Sequence, residues 1–238
     1  MNKNVALVTG GAIRVGRAIC RELAEQGYRL IVHYHSSSEP AESLSRELQT
    51  MGAEHCLVTA DLSDRGGIEC LLEQIPPAFK DINLLVNSAA IFPDDDHIGQ
   101  LSEHWDSVMN LNARAPILLA EAVFKRCASL QQVINIVDAR VYRNQTQRLS
   151  YRWSKLVLAQ ATKDLALVMA PKVRVNAVAL GAILPPPGAD ETYLSRLEKS
   201  IPLQQTGDTD AVARAVRYLV QQPFVTGQVL SLDGGEFL

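Results

Sequence analysis

The sequence predicts an α/β fold, a Rossmann-like doubly wound parallel sheet of about seven strands with helices on both faces. Short apolar, β-branched runs recur along the chain, and longer amphipathic stretches separate them. No internal repeat, low-complexity tract or Pro/Gly/Ser-rich linker divides the 238 residues, so one domain is expected over 1–238. Strands are expected at 5–8, 29–33, 55–59, 84–86, 133–137, 174–177 and 229–232. Between the first two, Ala18, Ile19, Leu23 and Ala24 repeat at helical spacing and Gly27 is placed to end the helix.

Composition narrows the function classes. Hydrophobic residues at 47% and charged residues at 21% are ordinary for a chain that folds by itself. A net charge of -3 gives no broad attraction for nucleic acid or anionic lipid, so neither is expected as a partner and any anionic ligand is expected to be small. Cys20, Cys56, Cys70 and Cys127 lie far apart and outside any metal-ligand pattern, and are read as reduced, mostly buried thiols with no metal site. The first residues run directly into the apolar stretch 5–8, which is too short for a signal core or a membrane span, and a cytoplasmic location is expected.

After the first strand comes Thr9-Gly10-Gly11-Ala12-Ile13-Arg14-Val15-Gly16, at the start of the first helix. Glycines let the backbone turn tightly against a pyrophosphate, and a helix N-terminus offers unpaired N–H groups and a positive dipole end. A nucleotide is therefore expected here, with Gly10, Ile13, Arg14 and Val15 among its contacts. Arg14 reads either as a phosphate ligand or as a solvated helix-start arginine. NAD-specific sites usually place an acidic residue about 20 residues beyond the glycine loop, and none stands here. The second strand ends instead in His33-Tyr34-His35-Ser36-Ser37-Ser38, whose donors could hold a 2′-phosphate. The same segment could also simply cap the next helix through Ser38.

Tyr151 and Lys155 stand four apart, so on a helix they share a face, and the lysine charge is expected to lower the tyrosine pKa. Asp138, thirteen residues before Tyr151, reads as a proton relay or as a strand-end turn aspartate. Asn87-Ser88-Ala89-Ala90 follows the fourth strand, and Asn112 lies in Asn110-Leu111-Asn112-Ala113. Both asparagines could be functional or fold-stabilising. The run 184–188, Leu-Pro-Pro-Pro-Gly, must be a loop leading into a helical 190–199, and reads either as a substrate lid or as a plain surface connection.

From Thr9 to Gly235 these motifs resemble the short-chain dehydrogenase/reductase family. Arg14, His33-Tyr34-His35 and Asp138 together resemble its pteridine reductase branch, which includes dihydromonapterin reductases. The resemblance implies NADPH as cofactor, Asp61 and Leu62 at the adenine pocket, and Asn87, Ser88, Ala89, Lys155 and Gly181 along the cofactor. It also implies a pterin substrate held by Arg14, Phe92, Asp138 and Tyr151, catalysis by Asp138, Tyr151 and Lys155, and a homotetramer. Phe92 would stack on the pterin ring, although it could instead be a local packing anchor. Ser36 stands where the branch often has arginine, Ser88 and Ala90 depart from N-N-A-G, and Leu180 precedes Gly181 where proline is usual. Two other functions share the motifs: a carbonyl reductase for 3-oxoacyl groups or sugars, and a catalytically idle nucleotide sensor.

Overall fold

A computed structural model describes residues 4–93, 97–186, 190 and 192–238. Its strands are β1 (Val5–Thr9), β2 (Arg29–Tyr34), β3 (His55–Thr59), β4 (Ile82–Asn87), β5 (Gln132–Asp138), β6 (Arg174–Leu180) and β7 (Val229–Leu232). They form one sheet in the order β3-β2-β1-β4-β5-β6-β7, and every neighbouring pair is parallel. The helices are α1 (Arg14–Glu25), α2 (Ser38–Thr50), α3 (Gly67–Glu73), α4 (Leu101–Met109), α5 (Ala115–Arg126), α6 (Leu149–Val168), α7 (Tyr193–Glu198) and α8 (Thr209–Gln221).

Alternation along each strand explains why its run is apolar throughout. In β1, Val5 and Leu7 enter the layer that contains Leu119 and Val123 of α5 and Leu71 of α3. Ala6 and Val8 enter the opposite layer, with Ile19 and Leu23 of α1, Leu44 and Leu48 of α2, and Val212 and Val216 of α8. A strand covered on both faces has no polar side to display. Ile19 and Leu23 are fully buried, and a buried side chain of this kind contributes about 1.5–3 kcal/mol.

Several strands run further than the apolar runs suggest. β6 continues through Val178, Ala179 and Leu180, which pair with β7, and β4 begins at Ile82. The expected helix at 190–199 is shorter, spanning Tyr193–Glu198. Ser38 is the first helical residue of α2 rather than its cap, and Ser37 occupies the cap position without a side-chain cap bond. Of the loop at 184–188, Pro187 and Gly188 lie outside the described residues. Cys20 and Cys127 are buried, Cys56 is half-buried and Cys70 is exposed. Among the described residues no helix is long and apolar enough to cross a membrane.

The strand order places the site. From β1 the chain moves outward to β3, then returns to β4 on the other side of β1. At such a switch point the loops leaving the two central strands diverge and leave a crevice at the carboxyl ends of the strands.

Candidate active site

That crevice is a cleft of about 680 Å³, walled by the loops after β1 through β6. Gly10 takes φ +62 after β1, and a Cβ there would come within 2.9 Å of the Ala89 Cα. A Cβ on Gly16 would lie 2.0 Å from the Gly10 carbonyl oxygen, so only glycine lets α1 begin this close to the loop. Thr9 ties the neighbouring loop in, because its hydroxyl accepts the N–H groups of Ser88 at 3.0 Å and Ala89 at 3.1 Å. α1 starts with no side-chain cap and no acidic residue in its first turn, leaving the positive end of its dipole facing the cleft. Arg14 has φ +50, and its Nη2 donates to the Pro185 carbonyl at 2.7 Å, reaching the loop after β6.

His33 corrects the expectation that its imidazole would be a phosphate donor. Its Nδ1 accepts the Gly10 N–H at 3.2 Å, and its Nε2 lies 3.0 Å from the Ala60 carbonyl. Both nitrogens are thus spent inside the protein, and burial pulls the ring pKa down to about 4. Tyr34, His35, Ser36 and Ser37 remain along the cleft wall, with Ile13, Val15, Asp61 and Leu62. The Asp61 carboxylate accepts both the N–H and the hydroxyl of Ser63 and lies 4.0 Å from His35. Asn87 does not line the cleft. It is buried, donating to the Pro116 carbonyl and to Asn135 Oδ1, while Ser88, Ala89 and Ala90 reach the wall.

At the inner end, β5 delivers Asp138 and α6 delivers Tyr151 and Lys155. The Tyr151 hydroxyl donates to Asp138 Oδ2 at 3.2 Å. Lys155 Nζ donates to the Ile136 carbonyl at 3.0 Å, and burial lowers its pKa to about 8. The expected lowering of the Tyr151 pKa by Lys155 is not what this arrangement produces. Burial, reinforced by the Asp138 carboxylate, holds Tyr151 well above its ordinary value, with Arg140 and Arg148 pulling the other way. Phe92 meets Tyr151 edge-on at 4.5 Å, and the Arg148 guanidinium lies 4.1 Å from its ring centroid. Asn112 uses its whole amide on Ile91, accepting its N–H at 2.9 Å and donating to its carbonyl at 2.8 Å, and so holds the backbone next to Phe92. Gly181 lies at the wall beside Asp233, where a Cβ would come within 2.6 Å of the Asp233 Cα.

Three residues were missed in the sequence. Arg140 sits two positions beyond Asp138, a spacing that could have drawn notice. Arg148 and Glu236 carry no sequence signal, because folding alone brings them to the site.

The donor set fits a dinucleotide: an uncapped helix start and Arg14 for phosphates, hydroxyls after β2, and a carboxylate at Asp61. The model described as enoyl-(acyl carrier protein) reductase matches residues 11–236. This chain belongs to the short-chain dehydrogenase/reductase family. Members of the family are oxidoreductases that depend on a nicotinamide nucleotide, and that is this protein's class. A 3-oxoacyl-[acyl-carrier-protein] reductase from Synechocystis sp. is 30% identical over 99% of this chain and 97% of its own length. Among solved structures, FolM alternative dihydrofolate reductase 1 from Brucella canis, complexed with NADP, is 36% identical with a TM-score of 0.87, covering 98% of this chain and 94% of its own. The protein of the same name from Brucella suis, also with NADP, is 35% identical with a TM-score of 0.89, covering 99% and 95%.

Proposed function

We propose that this short-chain reductase uses NADPH to reduce a dihydropterin to a tetrahydropterin. The observation that carries this reading is the Asp138 carboxylate 3.2 Å from the Tyr151 hydroxyl, with Phe92 beside them. Reducing a ketone builds negative charge on oxygen, and a carboxylate at that point opposes it. Reducing the C=N bond of a dihydropterin requires a proton on nitrogen, and Asp138 with Tyr151 offers a relay that can pass one in from solvent. The similarity to the two Brucella FolM proteins supports the same reading.

When bound, NADPH supplies the hydride that goes to the ring carbon. Tyr151, held protonated by its surroundings, gives its proton to the adjacent ring nitrogen, directly or through water. Asp138 returns a proton from solvent, so one hydride and one proton are consumed per turnover. Lys155 orients the nicotinamide ribose. Arg14 and Ser37, with the glycine loop, hold the phosphates, and Phe92 stacks on the pterin.

Similarity to the Synechocystis 3-oxoacyl reductase favours a second reading, carbonyl reduction. The test is a panel of dihydromonapterin, dihydrobiopterin, dihydrofolate, 3-oxoacyl thioesters and sugar ketones, assayed with NADPH. Turnover of a dihydropterin is expected. Efficient turnover of a ketone with none of any pterin would overturn the proposal.

A further inference from the structure

Asp138 is an unusual neighbour for a buried tyrosine hydroxyl, and its own surroundings explain how it is kept there. Its side chain is only 10% exposed, and an isolated buried carboxylate would be costly. Arg140 supplies two contacts to it. The Arg140 backbone N–H donates to Oδ1 at 2.8 Å, and Nη1 donates to Oδ2 at 3.1 Å, the same oxygen that accepts from Tyr151. A short 3-10 turn, Ala139–Tyr142, makes this possible by folding the chain back immediately after β5. The guanidinium also lies 5.7 Å from the Phe92 centroid, inside the cleft.

Arg140 is itself faced from other elements. The titratable groups around it are Asp138, Tyr151, Tyr193 and Glu236. Glu236 arrives in the turn after β7 and takes a hydrogen bond from the Ala182 backbone. Its Oε2 lies where a Cβ on Gly181 would approach within 3.3 Å. A carboxylate from the turn after β7 is thereby fixed beside the loop after β6.

We propose that Arg140 is a positioning residue that keeps the Asp138 carboxylate aimed at the Tyr151 hydroxyl. This rests on the reading of Tyr151 and Asp138 as the proton-transfer pair. It assigns a role to a residue that does not transfer protons itself: without the guanidinium, the buried carboxylate loses its hydrogen-bonded ion-pair partner, and Tyr151 loses a fixed acceptor.

The test is a double-mutant cycle on dihydropterin turnover with NADPH, using Arg140→Gln, Asp138→Asn and the pair. Arg140→Gln keeps a polar side chain of similar reach and removes the charge. It is expected to lower kcat about tenfold while leaving KM for NADPH within about twofold, and Arg140→Lys is expected to recover part of the loss. In the Asp138→Asn background Arg140→Gln should cost nothing further, because the group it acts on is gone. NADPH binding, followed by its fluorescence, establishes that each variant is folded. If the losses in Arg140→Gln and Asp138→Asn multiply, or if Arg140→Gln has wild-type kcat while Asp138→Asn is impaired, the role of Arg140 is overturned and the proton-transfer reading stands. If Asp138→Asn itself keeps wild-type kcat, both fall.

Discussion

Arg14 holds a backbone position that glycine would hold at less cost. At φ +50 a side chain crowds the following carbonyl, an arrangement worth roughly 1–2 kcal/mol of strain. The guanidinium donates to the Pro185 carbonyl, and in the proposed NADPH complex it would also hold a phosphate. Arg14→Gly is therefore expected to raise the unfolding free energy by about 1 kcal/mol and to lower affinity for NADPH more than for NADH. Denaturant unfolding measures the first and fluorescence titration the second. Unchanged discrimination between the two nucleotides would remove Arg14 from phosphate binding. At Tyr151 the hydroxyl and not the ring carries the chemistry, so Tyr151→Phe should leave NADPH binding intact while turnover falls by about 10²–10⁴-fold. Near-normal turnover in that variant would show that the proton comes from elsewhere.

Elements meet at the site through a small number of polar bolts, and His33 is the one most sensitive to pH. It joins the end of β2 to the glycine loop through Gly10 and to the end of β3 through Ala60. The ring must stay neutral to accept the Gly10 N–H. Burial lowers its pKa from 6.5 to about 4, so between those values the unfolded chain carries a proton that the native state does not. Stability then rises with pH in that window and is lost as pH falls through it, by about 3 kcal/mol in all. Urea unfolding of wild type at pH 7 and pH 4.5 should show a drop larger by about 2 kcal/mol than in His33→Leu, which is less stable at pH 7 but lacks the titration. Parallel losses in both proteins would mean that carboxylates alone account for the acid sensitivity.

At the scale of the whole molecule, the fold was legible because a parallel sheet covered on both faces writes itself as apolar runs at all seven strands. The glycine turn, Tyr151 and Lys155 were legible as spacing. What spacing could not show was direction. The Tyr151 hydroxyl turns to Asp138, and Lys155 to the Ile136 carbonyl, because of how the turn after β5 packs on α6. Arg148 reaches Phe92 across 56 positions of sequence, and the imidazole of His33 turns inward where the sequence left it free to turn out. The resulting cleft draws walls from both halves of the sheet, from the loops after β1, β2 and β3 and from those after β4, β5 and β6. A dinucleotide lying in it would bind only the folded assembly, so binding must add to global stability. At a concentration of about 100 Kd the gain is about 2.7 kcal/mol, which for a chain of this size is a rise of roughly 5–10 °C in Tm. NADH, lacking the 2′-phosphate, should give a clearly smaller rise at the same concentration, and Arg14→Ala should bring the two rises together. Thermal unfolding monitored by circular dichroism reads both. Equal shifts for the two nucleotides in wild type would mean that neither Arg14 nor the hydroxyls after β2 read the 2′-phosphate, and the cofactor assignment would pass to NADH.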